Sequence, residues 1–222
     1  MNGRSSTSPR DVSVAVGSTR LRGLLRSPPD PIGVVVFAHG SGSGRLSPRN
    51  TYVANRLGEA RLATLLFDLL TEPEEELDAV TADLRFDIPL LTGRLLAATR
   101  WTLEQPHLKD LPMGYFGAST GAAAALAAAA CLPSLSAIVS RGGRPDLAGA
   151  ALARVRAPTL LIVGGDDPQV LALNRRALHQ LTCEARLEIV RGATHLFVEP
   201  GTLEQVASLA AAWFTRHTET RS

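Results

Sequence analysis

Met113-Gly114-Tyr115-Phe116-Gly117-Ala118-Ser119-Thr120-Gly121 is the stretch of the sequence that decides the fold. Its apolar part ends in Gly-x-Ser-x-Gly and a run of alanines follows, which predicts a strand, a sharp turn carrying Ser119, and a helix. A serine on such a turn lies in strained backbone, and a side chain at Gly117 or Gly121 would collide with the adjoining strand or helix. The turn would present the Ser119 hydroxyl beside the N–H groups of a helix N-terminus. The alternative is an ordinary glycine-rich turn with an incidental serine.

Strands and helices are predicted to alternate on both sides of this stretch. Residues 11–16 and 20–25 indicate a hairpin, and Gly33–Ala38 is a continuous apolar run typical of a strand buried on both faces. Further strands are predicted at 63–67, 135–140, 159–163 and 185–190, and helices at 48–57, 84–102, 122–130, 170–181 and 202–215. This order predicts an α/β fold with a doubly wound, mostly parallel sheet of about eight strands, helices on both faces and no cap domain.

Composition sets the limits of this prediction. The chain has 222 residues, of which 45% are hydrophobic, and this suits one α/β domain with a substantial core. We expect a disordered N-terminus at 1–10, a single domain at 11–216 and a C-terminal tail at 217–222. The net charge of +2 and the scattered arginines indicate neither a nucleic-acid nor a membrane partner. They do not indicate an oligomeric state.

Segments that could suggest other protein classes have simpler interpretations. No apolar segment follows the first ten residues as it would in a secretory signal, so we expect a cytoplasmic protein. The alanine-rich run 122–130 is too short to span a membrane. Cys131 and Cys183 lie far apart without a Cys-x-x-Cys pattern, so we expect buried free thiols and neither a disulfide nor a zinc site.

Two loops need a choice between interpretations. His39-Gly40-Ser41-Gly42-Ser43-Gly44 matches neither a phosphate loop nor a dinucleotide fingerprint, which leaves an oxyanion-binding loop or a plain flexible one. His39 could be a base, but at a strand end we expect a structural hydrogen-bonding role. The acidic run 72–78 could bind a cation, yet acidic residues favour a solvated loop or the first turn of a helix.

Polar groups follow four of the predicted strands, where the carboxyl ends of parallel strands form ligand sites. They are found in His39-Gly40-Ser41, at Ser119, in Gly164-Gly165-Asp166-Asp167 and in Gly192-Ala193-Thr194-His195. A serine, an acid and a histidine therefore follow one another in the chain order of the α/β-hydrolase triad. Each residue alone would be taken for a turn or surface residue, but together they predict a catalytic site.

These motifs resemble those of the α/β-hydrolase superfamily and, within it, the small dienelactone-hydrolase-like proteins. The resemblance extends from Val34 to Phe214 and rests on residues 38–44, 117–121, 161–167 and 192–195. Characterised dienelactone hydrolases have a cysteine nucleophile where this chain has Ser119, so the resemblance supports a serine hydrolase more firmly than a dienelactone substrate.

The resemblance implies a role for each residue of the triad. Ser119 would attack the substrate carbonyl, and His195 would take up its proton and return it to the leaving group. The resemblance points to Asp167, three residues after the first glycine of its loop, as the acid that orients His195. Pro168 favours an extended conformation at Asp167, which would fix the direction of its carboxylate. Asp166 would instead cap the turn.

Two N–H groups would stabilise the developing oxyanion. Thr120, directly after the nucleophile, would supply one of them. We expect Ser41 in the glycine-rich loop to supply the other, with Gly40 and Gly42 as alternatives.

The resemblance implies a serine hydrolase that cleaves small carboxylic esters through an acyl-enzyme, with a small-molecule ester as its partner. The alternatives are dienelactone, thioester or carbon–carbon bond hydrolysis on the same triad, and a non-catalytic binding protein on this scaffold. The carboxylates outside the triad and the acidic run form no pair with metal-ligand spacing on a helix, so we expect neither a metal nor a cofactor. Residues 141–158 are too few for a lid domain, so we expect an open site that suits small acyl groups.

Overall fold

An eight-stranded sheet and six helices make up the structure, a computed structural model that describes residues 8–219. The strands are β1 (Arg10–Val16), β2 (Thr19–Arg26), β3 (Gly33–Ala38), β4 (Leu62–Phe67), β5 (Met113–Ala118), β6 (Ala137–Arg141), β7 (Thr159–Gly164) and β8 (Ala185–Val190). The helices are α1 (Pro48–Glu59), α2 (Glu72–Thr81), α3 (Ile88–Leu103), α4 (Thr120–Ala129), α5 (Pro168–Gln180) and α6 (Thr202–Glu219).

The strand order is β1-β2-β4-β3-β5-β6-β7-β8. The hairpin β1–β2 and the β2–β4 pair are antiparallel, and every other pair is parallel. The sheet buries strands β3 to β7 on both faces, as the continuous apolar run Gly33–Ala38 predicted for β3. The predicted mostly parallel α/β sheet with an antiparallel N-terminal hairpin is therefore confirmed.

Helices cover both faces of the sheet. Helices α1 and α6 pack on one face around Phe37, Phe116 and Val139. Helices α3, α4 and α5 pack on the other face around Tyr115 and Ile138. Helix α4 consists mainly of alanine, and this lets it lie close to the sheet in the centre of that face.

The segment between β6 and β7 decides how open the molecule is. Within residues 8–219 no cap domain is inserted there, and the segment holds only the short 3₁₀ stretch Pro145–Arg154. Leu152 and Val155 anchor it in the core beside α4 and α5. None of the helices in the described part of the chain is long and apolar enough to cross a membrane.

Several boundaries differ from the sequence prediction. The predicted helix 84–102 is divided into a 3₁₀ turn, Leu84–Phe86, and α3, because the Asp87 side chain caps α3 and Pro89 occupies its first turn. The acidic run forms the first turns of α2, where Thr71 and Glu74 make a capping box. That run is therefore helical rather than a solvated loop.

The C-terminal end of the chain and the two cysteines also differ from the sequence prediction. Helix α6 continues to Glu219, so residues 217–219 are helical, although they were predicted as part of a tail. The His217 ring is buried and packs on Trp213, with the ring centroids 4.6 Å apart. Residues 1–7 of the predicted disordered N-terminus, and residues 220–222, lie outside the described part. The prediction of buried thiols is wrong: Cys131 follows the end of α4 and is exposed, and Cys183 is half-buried.

Candidate active site

Ser119 stands on a strained turn between β5 and α4. Its φ of 49° and ψ of −122° lie in a region that residues with a side chain rarely adopt. A Cβ on Gly117 would lie 2.4 Å from Ala122 Cα, and one on Gly121 would lie 2.2 Å from the carbonyl oxygen of Ala38. The two glycines therefore let α4 approach both its own strand and the end of β3, as the motif indicated.

Asp167 and His195 meet at the same edge of the sheet. Asp167 Oδ2 accepts a hydrogen bond of 2.7 Å from His195 Nδ1, while Asp167 Oδ1 accepts one of 3.2 Å from the N–H of Val170 and so caps α5. The Asp167 side chain is largely buried and His195 is partly open to solvent. Asp166 is exposed, and its N–H donates to the carbonyl of Ala193 at 3.0 Å, which ties the two loops together.

The loop that carries His195 is closed by a side-chain clamp. The N–H and the hydroxyl of Thr194 donate to the Glu199 carboxylate at 3.1 and 2.6 Å. The hydrogen bond from the Thr194 side chain is the main cause that lowers the pKa of Glu199 below its usual value. The clamp was missed by the sequence prediction, because the spacing Thr-x-x-x-x-Glu has no recognised signature.

Asn174 links the helix behind Asp167 to the loop beneath Ser119. The fully buried Asn174 side chain donates from Nδ2 to the carbonyls of Gly143 and Val170, at 2.9 and 2.8 Å. Only the folded arrangement of β6 and α5 reveals this residue, since its sequence position is an unremarkable helical one.

Ser119 and His195 contact the same loop, residues 141–144, after β6. The Ser119 N–H donates to the carbonyl of Arg141 at 3.2 Å, and the Arg144 N–H donates to the carbonyl of Ser119 at 3.0 Å. A Cβ on Gly142 would lie 3.5 Å from His195 Cε1. Within residues 8–219 the structure gives no direct hydrogen bond between the Ser119 hydroxyl and His195, a bond that commonly tightens only with substrate present.

The two predicted oxyanion-hole residues also lie together. The hydroxyls of Ser41 and Thr120 share a hydrogen bond of 3.1 Å, which holds the glycine-rich loop against the start of α4. In the described structure the N–H groups of these two residues have no acceptor, and the same is true of Gly40 and Gly42. All four N–H groups thus remain candidates.

His39 has the structural role expected for it. Its Nδ1–H donates to the carbonyl of Gly40 and its Nε2 accepts from the N–H of Leu69, both at 2.9 Å. Burial lowers the pKa of His39 below its usual value, so the ring is neutral at pH 7. The ring therefore joins the glycine-rich loop to the end of β4 with both of its nitrogens in use.

A cleft of about 520 Å³ opens beside this loop. It begins at Ser41 and Thr120 and extends between the loop, α2 and the 3₁₀ turn at 84–86; Ser119, Asp167 and His195 lie outside its lining. Charged residues line much of it, including the ion pairs Arg45–Asp68 and Arg85–Asp78. Among the residues that the structure describes, no group of three His, Cys, Asp or Glu side chains is placed to hold a metal ion.

Known proteins with similar sequences include two Mycobacterium tuberculosis proteins, from strains CDC 1551 and H37Rv, that are provisionally named phosphoribosyl transferases. Each is 57% identical to this chain over 208 residues. The match covers 93% of this chain but 46% of each relative, so the chain spans about half the length of these proteins.

Solved structures give a match over almost the whole chain. The crystal structure of a dienelactone hydrolase from Anabaena variabilis is 56% identical, with a TM-score of 0.91, and the match covers 95% of this chain and 99% of that one. Est1E from Butyrivibrio proteoclasticus shares the fold at 15% identity, with a TM-score of 0.78 and coverage of 95% and 99%. The sequence model of the dienelactone hydrolase family matches residues 21–220. This chain therefore belongs to the dienelactone hydrolase family and is an α/β-hydrolase.

Proposed function

We propose that the protein is a serine hydrolase that cleaves small carboxylic esters through Ser119, His195 and Asp167. The observation that carries the proposal is the 2.7 Å hydrogen bond from His195 to Asp167, at the sheet edge where the strained turn presents Ser119. The name of the Anabaena relative supports an ester-type bond, since a lactone is a cyclic ester. The transferase name belongs to proteins of which this chain matches less than half, so the proposal does not extend it to this chain.

Each residue has a defined part in this reaction. The Ser119 hydroxyl attacks the ester carbonyl while His195 Nε2 takes up its proton, and an acyl-enzyme forms as the alcohol leaves with that proton. Asp167 accepts from Nδ1–H, so the lone pair of the neutral ring is on Nε2, and the carboxylate stabilises the imidazolium. Water then repeats the sequence on the acyl-enzyme and releases the acid.

Negative charge on the carbonyl oxygen is stabilised by N–H groups at the start of α4. The Thr120 N–H lies in the first turn, where it has no partner within the helix. The N–H of Ser41 is the second donor in this proposal, because its side chain already holds the loop against Thr120.

The decisive experiment combines a fluorophosphonate probe with hydrolysis of 4-nitrophenyl butyrate. Wild-type protein should be labelled, and Ser119→Ala should abolish labelling and lower kcat/KM by roughly 10⁴. Ser43→Ala, in the glycine-rich loop, is the matched serine control and should keep its label. A wild-type protein that is neither labelled nor active would favour the non-catalytic alternative, and an adduct on Ser41 or Ser43 would exclude Ser119 as the nucleophile.

A further inference from the structure

Arg49 and Arg141 lie together at the edge of the sheet that carries Ser119. Arg141 is the last residue of β6, and Ala137 and Val139 of the same strand belong to the core beneath α1 and α6. Because side chains alternate along a strand, Arg141 points to that same face. Arg49 is the second residue of α1, which covers this face. The topology thus places Arg49 and Arg141 on the same face of the sheet.

Neither of these arginines has a counter-charge. Arg141 is 7% exposed, and its buried Nη1 has no hydrogen-bond partner; the buried Nε of Arg49 also has none. Neither arginine forms an ion pair with any residue in the range 8–219. Burial, together with the positive charge of Arg49, lowers the pKa of Arg141 to about 10, so it remains a cation at neutral pH. A buried cation without a partner is costly, and a bound anion would remove that cost.

Other charges around the cleft are largely balanced. Asp68 pairs with Arg45 at 2.6 Å, and Asp78 pairs with Arg85 at 2.7 Å. Glu75 also lines the cleft, and burial, together with the charge of Asp68, raises the pKa of its carboxyl. The uncompensated positive charge is therefore on the Arg49 side.

This positive region adjoins the reaction centre. The carbonyl of Arg141 accepts the hydrogen bond from the Ser119 N–H, and Arg49 lines the cleft that begins at Ser41 and Thr120. The N-terminus of α1 adds a partial positive charge at Arg49. An anionic group on a substrate held at Ser119 would thus face Arg49 in the cleft, and the positive charge of Arg141 acts on Arg49 from the end of β6.

We propose that Arg49 and Arg141 form a subsite for an oxyanion, so that the preferred substrate is an ester whose acyl or alcohol part carries a carboxylate or a phosphate. Guanidinium groups bind both anions through paired, charge-assisted hydrogen bonds. Two cations without a counter-charge balance the two negative charges of a phosphate monoester better than the single charge of a carboxylate. The reaction in this proposal rests on the proposed function, but the binding of the anion does not.

The first test measures binding without catalysis. Isothermal titration of the Ser119→Ala protein with inorganic phosphate, and separately with acetate, should give saturable binding in the millimolar range or tighter. Adding Arg49→Met should raise both dissociation constants about tenfold or more, the effect of losing one charge-assisted hydrogen bond. Arg45→Met, which removes a cleft cation that has its own carboxylate, is the control and should change them far less.

Arg141→Met should weaken binding at least as much as Arg49→Met. If the buried substitution prevents folding, the more exposed Arg49→Met still decides the question. Tighter binding of phosphate than of acetate would assign a phosphate group, and the reverse order a carboxylate. Absence of binding in the parent protein, or equal losses in Arg49→Met and Arg45→Met, would overturn the subsite.

The second test compares two esters, 4-nitrophenyl hemisuccinate and 4-nitrophenyl butyrate. The preference for the anionic ester, measured as the ratio of the two kcat/KM values, should fall about tenfold or more in Arg49→Met and persist in Arg45→Met. If neither ester is cleaved but phosphate binding depends on Arg49, the proposed function fails and the subsite stands. If both are cleaved with the same ratio in wild type and Arg49→Met, the function stands and the subsite fails.

Discussion

Asp166 and Asp167 are neighbours in the chain whose surroundings differ. Asp167 is largely buried and divides its two oxygens between His195 and the first turn of α5, whereas Asp166 is exposed and contributes only its backbone N–H. Only the carboxylate of Asp167 can fix the tautomer of His195 in this arrangement. The neighbouring pair therefore offers a built-in comparison.

Substitution of each aspartate by asparagine should separate their roles. Asp167→Asn should lower kcat for 4-nitrophenyl butyrate by at least about 100-fold, because an amide cannot stabilise the imidazolium and can favour the wrong tautomer. Asp166→Asn should leave kcat close to the wild-type value. Steady-state kinetics on both variants checks this, and a more damaging Asp166→Asn would reverse the assignment of the acid.

His39 couples the glycine-rich loop to the end of β4, and its burial makes the coupling sensitive to pH. The folded protein holds the ring neutral because its pKa is lowered, while the unfolded chain takes up a proton near the usual value of 6.5. Below that pH the unfolded state binds more protons, so the free energy of unfolding falls as the pH is lowered. The contribution of this neutral ring is fully present above pH 6.5.

The variant His39→Gln should remove this dependence. An amide can accept from the Leu69 N–H and donate to the Gly40 carbonyl, so the loop keeps both contacts. Between pH 7 and pH 5, the free energy of unfolding measured in urea should fall more steeply in wild type than in the variant. The difference in slope should be up to ~1.4 kcal/mol per pH unit. The lowered pKa of His217 acts in both proteins and cancels in the comparison. Parallel pH profiles would mean that folding does not lower the pKa of His39.

Among single residues, the positions of those in strand-end loops were predictable. Ser119, Asp167 and His195 come in the loops or turns after β5, β7 and β8, so the chain order alone predicted them at one edge of the sheet. The partner of His39 was not predictable, because Leu69 comes into reach only when β3 and β4 are neighbours. The position of Arg141 near Arg49 likewise depends on which face of the sheet α1 covers.

At the scale of elements, the turn from β5 to α4 is built by close packing of backbone on backbone. The Gly121 backbone touches the end of β3, from which the glycine-rich loop departs. Any side chain at that position would push α4 away from the loop that holds Ser41. The turn thus fixes Ser119 and the glycine-rich loop together.

Two glycine-to-alanine substitutions test this packing. Gly121→Ala should destabilise the protein by about 3 kcal/mol or more, because the added methyl group meets backbone atoms that cannot move aside. Gly93→Ala is the control: Gly93 lies within α3 with no atom within 4 Å of an added Cβ, and alanine should stabilise the helix by ~0.5–1 kcal/mol. Chemical denaturation of both variants measures the difference. A Gly121→Ala protein of wild-type stability would show that α4 can shift without cost.

The limits of sequence-based prediction are also visible in two helices. Leu84 continues the apolar spacing of α3, but it belongs to the separate 3₁₀ turn Leu84–Phe86. Only the capping side chain of Asp87 marks where α3 begins. The end of α6 was placed too early, because the packing of His217 on Trp213 extends it and this contact leaves no local signal. The buried strands were easier, since a parallel sheet requires continuous apolar runs.

At the scale of the whole molecule, the sheet collects the candidate site at its carboxyl edge and leaves that edge open. Within residues 8–219, the segment between β6 and β7, where a lid would be inserted, is short and packs into the core beside α4 and α5. The cleft beside the site is lined by ion pairs as well as by Leu46, Leu69, Leu70 and Leu91. A long alkyl chain placed there would cover charged groups that now contact water.

Neutral esters should therefore be cleaved best when their acyl groups are short. We expect kcat/KM to be higher for acetyl to butyryl 4-nitrophenyl esters than for dodecanoyl or longer ones, with no activation by a lipid interface. Each methylene could add up to ~0.8 kcal/mol of binding only where a continuous apolar wall buries it, and the ion pairs Arg45–Asp68 and Arg85–Asp78 interrupt the wall of this cleft. A chain-length series in detergent-free buffer, repeated with phospholipid vesicles, provides the measurement. A steady rise of kcat/KM beyond eight carbons would contradict the prediction, because it would require a continuous apolar channel leading away from Ser119.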